Sequence, residues 1–351
     1  MNNTWMIYGA NGYTGELIAR EAVRRGLRPV LAGRSRDKIE PLARELGLDA
    51  RGFALDDVTR AAAQLQGIGL VLHCAGPFSV TARPMMEACL QAGSHYLDIT
   101  GEIAVFELGQ SLDARAREAG IVICSGVGFD VIPTDCVAAT LKAALPDATH
   151  LALGFDSSSG PSAGTAKTSL EGLAQGGKAR VDGRIVTVPL AHKVRRIDFG
   201  GGEKQAMSIP WGDVSTAFHS TGIPNIEVYI PASGGMVLGA RASRFIRPLL
   251  ALPSVQAFLK ARIDKTVKGP GEATRARQPT YVWGEARNAR GEVRTARVRT
   301  DNVYSLTITG ALAVIEHLMR HRPAGGASTP SKLVGADLVT RLPGSGPMQV
   351  S

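Results

Sequence analysis

A short apolar run, Trp5–Tyr8, leads at once into Gly9-Ala10-Asn11-Gly12-Tyr13-Thr14-Gly15, and a helical pattern then continues through Arg25. Three glycines at this spacing, between a strand and a helix, serve a particular geometry. The first permits a tight turn, the second lets backbone approach a pyrophosphate, and the third lets the helix pack closely on the strand. The helix N-terminus then offers free N–H groups and the positive end of its dipole to phosphate. Gly9, Asn11, Gly12, Tyr13, Thr14 and Gly15 are therefore expected to contact a dinucleotide.

The next hundred residues repeat the same alternation. Arg28–Ala32, Gly52–Leu55, Leu70–Cys74, His95–Ile99 and Ile121–Cys124 read as strands. Arg36–Leu46, Asp57–Gln66, Ala82–Ala92 and Ile103–Ala119 read as the helices between them. Short connections in such a series predict an α/β fold, a doubly wound parallel sheet with helices on both faces. The dinucleotide-binding Rossmann domain is expected over 1–145. After that the alternation stops and glycine clusters appear at 157–164, 200–202 and 233–235. Leu151–Phe155, Arg184–Pro189, Ile226–Ile230, Thr280–Ala286 and Val303–Thr309 read as strands of a second, α+β domain over 146–310. Gly310–His321 reads as a helix, and the last nine residues as frayed.

The end of the second strand selects the cofactor. An acid there would bond the ribose 2′-hydroxyl of NAD. The chain instead has Gly33-Arg34-Ser35, with Arg36 and Lys38 close by. A guanidinium suits a 2′-phosphate through paired charge-assisted bonds. Arg34 and Ser35 therefore predict NADP. Asp56 is placed at the end of the third strand, as an adenine neighbour or as a cap of the following helix. Ala75, Gly76, Pro77 and Phe78 follow the fourth strand, where ligands collect in open sheets. Tyr96-Leu97-Asp98-Ile99-Thr100-Gly101-Glu102 and Gly128-Phe129-Asp130-Val131-Ile132-Pro133-Thr134-Asp135 follow late strands and carry two acids each. Ser162-Ala163-Gly164-Thr165-Ala166-Lys167-Thr168-Ser169 opens the second domain.

Together GANGYTG, AGRS, CAGPF, YLDITGE, GFDVIPTD and SAGTAKTS resemble the saccharopine dehydrogenase-like family, including its trans-acting enoyl reductase branch. Tyr304–Thr307 and the TPSKLVGADLVTRLPG tail look similar as well. The resemblance implies a Rossmann domain, a second domain on a mixed sheet, and a C-terminal segment, 311–351, that packs back on the first. It also implies an NADPH-dependent oxidoreductase that reduces a C=C (enoyl) or C=N bond of a small or lipid-like substrate. The alternative is a non-catalytic NADP-binding protein, membrane-associated or scaffolding. Many relatives have Asn before the CAGPF turn. Here it is His73, read as a buried strand residue.

Tyr96, Asp98, Glu102, Asp130 and Lys167 are the candidate catalytic residues, with Asp135 beside them. The acids equally fit turn and helix caps. The expected cleft is lined by Gly76–Phe78, Tyr96–Glu102, Gly128–Asp135 and the Gly164–Ser169 loop. Four cysteines without paired spacing predict buried free thiols, and no metal is expected. The excess of 40 Lys and Arg over 31 Asp and Glu favours anionic partners. The arginines over Arg275–Arg299 form no recognition motif, so nucleic acid is not expected. The N-terminus reads as a strand without a leader, and no apolar run reaches membrane-spanning length. A cytoplasmic protein is expected. Met236–Lys265 mixes apolar and basic residues in two helical pieces divided by Pro248 and Pro253. Phe245, Leu249 and Leu252 form one stripe, and Val255, Phe258, Leu259 and Ile263 another. Arg244, Arg247, Lys260 and Arg262 border them. This segment reads as a core cover or as a weak membrane-surface patch.

Overall fold

The computed structural model describes residues 4–250, 252–267, 271 and 278–351. Arg275, within the basic stretch noted above, and Ala251, within the 236–265 segment, lie outside them. The first elements are β1 (Trp5–Tyr8), α1 (Tyr13–Arg24), β2 (Val30–Gly33), α2 (Arg36–Leu46), β3 (Ala50–Gly52) and α3 (Val58–Gln64). Then come β4 (Leu70–His73), α4 (Phe78–Ala92), β5 (His95–Asp98), α5 (Ile103–Ser111), α6 (Asp113–Glu118) and β6 (Val122–Cys124). The single helix read over 103–119 is thus two, broken at Leu112.

A long helix, α7 (Ile132–Ala144), opens the next stretch, followed by β7 (Ala148–Asp156), α8 (Ala163–Gln175), β8 (Gly177–Val181), β9 (Arg184–Val188), β10 (Val194–Asp198) and β11 (Glu203–Ile209). After these come α9 (Asp213–Thr221), β12 (Asn225–Pro231), α10 (Gly234–Ala242), α11 (Arg247–Leu250) and α12 (Pro253–Thr266). The chain ends with β13 (Thr280–Asn288), β14 (Val293–Thr300), α13 (Val303–Arg320), β15 (Gly326–Ala327), α14 (Pro330–Val334), α15 (Leu338–Arg341) and β16 (Gln349–Val350).

The chain divides into two compact units, 1–132 with 304–334, and 133–303 with 335–351. Unit 1 holds a seven-stranded sheet in the order β15-β6-β5-β4-β1-β2-β3 among the described residues. Every pairing in it is parallel. The strands β1 (WMIY) and β4 (LVLH) are buried at all four positions, because a parallel sheet is covered on both faces. Met6, Val71, Met85, Tyr96 and Ile123 share its core. The order 3-2-1-4-5-6 reverses between β1 and β4. The turns following those two strands therefore flank the crevice where such sheets bind ligands.

Unit 2 is built on a mixed sheet, nine-stranded among the described residues, with β10-β11-β12-β7-β13-β14-β16 as its main path and the β8–β9 hairpin attached at β12. Only β12 and β7 run parallel among its described pairings. Ile197, Phe199, Tyr229 and Trp283 form a core on it.

Three sequence readings change. Val303–Thr309 is not a strand; it is the start of α13, whose buried face runs from Tyr304 through Leu318. Gly164–Ser169 is not a loop but lies in α8, which Ser162 caps by accepting from the Thr165 N–H at 3.3 Å. The final residues are not frayed. Gln349–Val350 pairs with β14, and the Ser351 N–H donates to the Thr295 carbonyl at 2.9 Å. Of the C-terminal segment 311–351, residues 311–334 belong to unit 1, together with the preceding 304–310, and residues 335–351 belong to unit 2. Among the described residues no helix is long and apolar enough to cross a membrane.

Candidate functional site

The glycine turn is shaped by close approach. Gly9 has φ +89°, and a Cβ there would stand 2.7 Å from the Ala75 nitrogen. A Cβ on Gly15 would stand 2.4 Å from the Gly9 oxygen. The Gly9 and Ala10 N–H groups both donate to the Ala32 carbonyl, at 2.7 and 3.1 Å. The turns after β1 and β4 therefore touch at the switch point, on backbone that tolerates no side chain. Gly12 is the N-cap of α1 and contributes no side-chain cap. Asn11 and Gly12 are exposed, and Tyr13 and Thr14 half-buried. A dinucleotide pyrophosphate fits this cradle.

At the end of β2, Arg34 is exposed and forms no ion pair among the described residues. Ser35 is the N-cap of α2, again without a side-chain cap bond. Arg36 is occupied by Glu40 at 3.0 Å. A Cβ on Gly33 would stand 3.4 Å from the Asn11 Oδ1, so the glycine turn and the Arg34 turn adjoin. Asp56 does not end the third strand, which stops at Gly52; it is an exposed residue beside Asp57, the true cap of α3. Arg34 and Asp56 still act on the same group. Burial pushes the Tyr8 hydroxyl up to about 12, while Arg34 opposes and Asp56 reinforces the shift.

The CAGPF turn is braced from beneath. His73 is fully buried, with Nε2 2.9 Å from the Thr81 hydroxyl oxygen. That hydroxyl donates to the Ala75 carbonyl at 2.6 Å, so the His73 Nε2 must carry the proton that reaches it. Burial holds His73 neutral, with its pKa down to about 3, and Phe78 packs edge-on at 5.4 Å. Thr81 gave no signal in the sequence beyond its place one helical turn past Pro77.

Tyr96 and Asp98 are both fully buried. The Tyr96 hydroxyl donates to Asp98 Oδ2 at 2.8 Å, and the Gly126 and Thr100 N–H groups donate to Oδ1 at 2.8 and 3.1 Å. Burial raises the Asp98 pKa against these bonds. The pair ties the end of β5 to the turn after β6. Glu102 reaches the other way: its Oε1 accepts from the Phe78 N–H at 3.0 Å. It thus supplies to α4 the cap that Pro77 cannot.

Asp130 lies against the same corner. A Cβ on Gly101 would stand 2.7 Å from its Oδ2, so only glycine leaves room for the carboxyl. Asp130 keeps some contact with solvent, yet its enclosed carboxyl is pushed up to about 7 by burial. Helix α13 positions this turn. The Phe129 N–H donates to the Thr307 hydroxyl at 3.0 Å, and a Cβ on Gly128 would meet the Thr307 methyl at 2.9 Å. One turn earlier, Tyr304 packs edge-on against Tyr13 of the glycine turn at 5.2 Å. Reading Val303–Thr309 as a strand hides this link, in which one helix touches both the glycine turn and the turn that carries Asp130.

Unit 1 thus brings together Gly9–Gly15, Ala75–Phe78, Glu102 and Asp130. Lys167 and Asp135 belong to unit 2. Lys167 is half-buried in the first half of α8. Asp135 is fully buried and accepts from the Ser220 hydroxyl of α9, a bond that joins two helices. All four cysteines are free thiols; Cys89, Cys124 and Cys136 are buried and Cys74 is half-buried.

The reversed strand order, the glycine turn and the basic end of β2 define unit 1 as a Rossmann domain for a nicotinamide dinucleotide. Residues 5–124 match the family described as the saccharopine dehydrogenase NADP-binding domain. The match lies within unit 1, which therefore carries the NADP-binding domain of this family. A saccharopine dehydrogenase-like oxidoreductase from Bos taurus is 31% identical over 150 residues, covering 37% of this chain and 35% of that protein. A trans-acting enoyl reductase from Mycobacterium bovis is 31% identical over 140 residues, covering 37% and 33%. The matched part is therefore only about a third of those relatives' length. Saccharopine dehydrogenase (L-Glu forming) from Saccharomyces cerevisiae superposes with a TM-score of 0.64 at 10% identity, over 99% of both chains, which establishes a shared fold.

Proposed function

We propose that this protein is an NADPH-dependent reductase of an electron-poor C=C or C=N bond, with unit 1 as cofactor domain and unit 2 as substrate domain. The observation that carries the reading is Asp130. Its carboxyl, pushed up to about 7, sits against Gly101 at the carboxyl edge of the sheet, where this fold collects ligands. The bound cofactor supplies the hydride; the protein must supply position and a proton. Gly9, Asn11, Gly12, Tyr13, Thr14 and Gly15 would cradle the pyrophosphate, and Arg34 and Ser35 would hold the 2′-phosphate. Asp56 would lie toward the adenine, and Ala75–Phe78 toward the nicotinamide ribose.

Asp130, protonated below about pH 7, holds a transferable proton for the carbon or nitrogen left negative after reduction. Glu102 keeps the Phe78 turn in place. Tyr96 and Asp98, fully buried and bonded to one another, hold the neighbouring turn rather than meet a substrate. The enoyl reductase among the relatives favours an acyl substrate, and the saccharopine dehydrogenase fold an imine. The burial of Tyr96 and Asp98 favours the second reading, a protein that binds NADP without turnover.

The test is NADPH oxidation with a panel of enoyl thioesters, enones and cyclic imines, repeated with Asp130→Asn. Turnover by the natural chain that falls with rising pH through about 7, and that the variant loses, is expected. Tight NADPH binding with no oxidation across the panel would decide for the non-catalytic reading.

A further inference from the structure

The helical insert between β12 and β13 shows a surface that a protein seldom leaves to water. Within α10, the turn Ser243–Phe245, α11 and α12, Leu238 is 70% exposed, Phe245 73% and Phe258 67%. Ile246, Leu249 and Leu252 are exposed as well. Helix α11 buries no residue and α10 only Val237. The first apolar stripe therefore faces outward. Of the second, only Phe258 does; Val255, Leu259 and Ile263 are half-buried. Exposed apolar groups of this size mark interaction sites.

The charges say which kind. Residues 234–266 contain six bases and a single acid, Asp264. Two of the bases turn inward rather than bordering the stripes. Arg247 places its guanidinium against Gly176, past the end of α8, and Lys260 pairs with Glu171 on α8. Arg244, Arg262 and Lys265 are exposed and form no ion pair among the described residues. The Arg244 guanidinium stands 4.6 Å over the Phe245 ring, a cation beside an aromatic that can enter the headgroup boundary.

We propose that the 234–266 insert docks on the surface of an anionic lipid bilayer. Phe245, Leu249 and Phe258 enter the boundary between headgroups and acyl chains, and Arg244, Arg262 and Lys265 face the lipid phosphates. Arg247 and Lys260 fasten the insert to α8, so docking bears directly on the helix that carries Lys167. The docking itself is independent of turnover. Its consequence, that an acyl substrate is taken up from the bilayer, rests on the reductase reading above.

The experiment is co-sedimentation of the full chain with phosphatidylcholine vesicles, with and without phosphatidylglycerol. Pelleting only with the anionic vesicles is expected, and its loss near 1 M salt, where the screening length falls to about 3 Å. Arg244→Glu with Arg262→Glu should weaken partition by about tenfold or more, because each basic residue near such a surface contributes about fivefold. Phe245→Ser with Phe258→Ser should weaken it by a further factor of about ten. All four side chains are exposed, and unchanged NADPH affinity would confirm that the variants fold. Amide exchange in α8 should slow on anionic vesicles. Equal pelleting with neutral lipid, pelleting unchanged in both variants, or none at low salt would overturn the proposal. So would light scattering showing a dimer that the Phe245→Ser/Phe258→Ser variant dissociates while lipid binds neither, since the surface would then belong to a second copy.

Discussion

Replacing Asp130 by Asn separates the cost of this acid from its use. In the folded protein its pKa stands at about 7 against an ordinary 3.8, and burial is the cause. The folded state therefore binds a proton that the unfolded chain releases between those two values. Stability from this group is fully present below about pH 4 and is lost progressively as pH rises through about 7. At about 1.4 kcal/mol per unit, the full shift amounts to about 4 kcal/mol. Asp130 retains some solvent contact, so about 2 kcal/mol is the working figure. Asn is nearly the same size and does not titrate. Urea unfolding at pH 4.5 and 8.5 should show the variant gaining about 2 kcal/mol on the natural protein between the two conditions. The same variant should lose turnover by roughly 10²–10⁴-fold while keeping its affinity for NADPH. An advantage that does not change with pH, or that grows in acid, would refute the burial argument. Undiminished turnover would place the proton donor elsewhere.

Arg34→Asp should weaken NADPH binding by about 1.5–3 kcal/mol and leave NADH binding nearly unchanged; fluorescence titration with both nucleotides checks this. Gly9→Ala should abolish nucleotide binding, because the new Cβ would stand 2.7 Å from the Ala75 nitrogen at a φ of +89°; isothermal titration reads the loss. Glu102→Ala removes the acceptor of the Phe78 N–H and should cost about 0.5–2 kcal/mol of stability, measured by urea unfolding, with a rise in the KM for NADPH.

Periodicity made unit 1 legible. Short, largely apolar runs such as WMIY and LVLH, alternating with helical patterns, fit a parallel sheet covered on both faces, and the glycine spacing fits few local geometries. The later part of the chain was less legible for physical reasons. VYSLTIT is rich in β-branched residues, yet Tyr304 and Leu306 join Gly310, Ala311 and Leu312 in the buried face of α13, and packing overrides propensity there. In SAGTAKTS the glycine suggested a loop, whereas the Ser162 cap starts a helix just before it. That cap was readable; the strand pairing of the last residues was not, since it depends on β14 standing opposite.

The sequence by itself determined the Rossmann order and the glycine turn, and it set Arg34 in place of an acid after the second strand, because each depends on neighbours a few residues apart. Only the tertiary structure decided which surroundings each acid receives. Asp98, Glu102 and Asp130 look alike in sequence, each an acid in a turn after a strand. Asp98 is saturated by Tyr96, Thr100 and Gly126, and Glu102 accepts from Phe78. Asp130 is enclosed beside Gly101, where burial keeps it protonated toward neutrality. A carboxyl's proton affinity depends on the dielectric and the donors around it, and those are brought by residues distant in the chain.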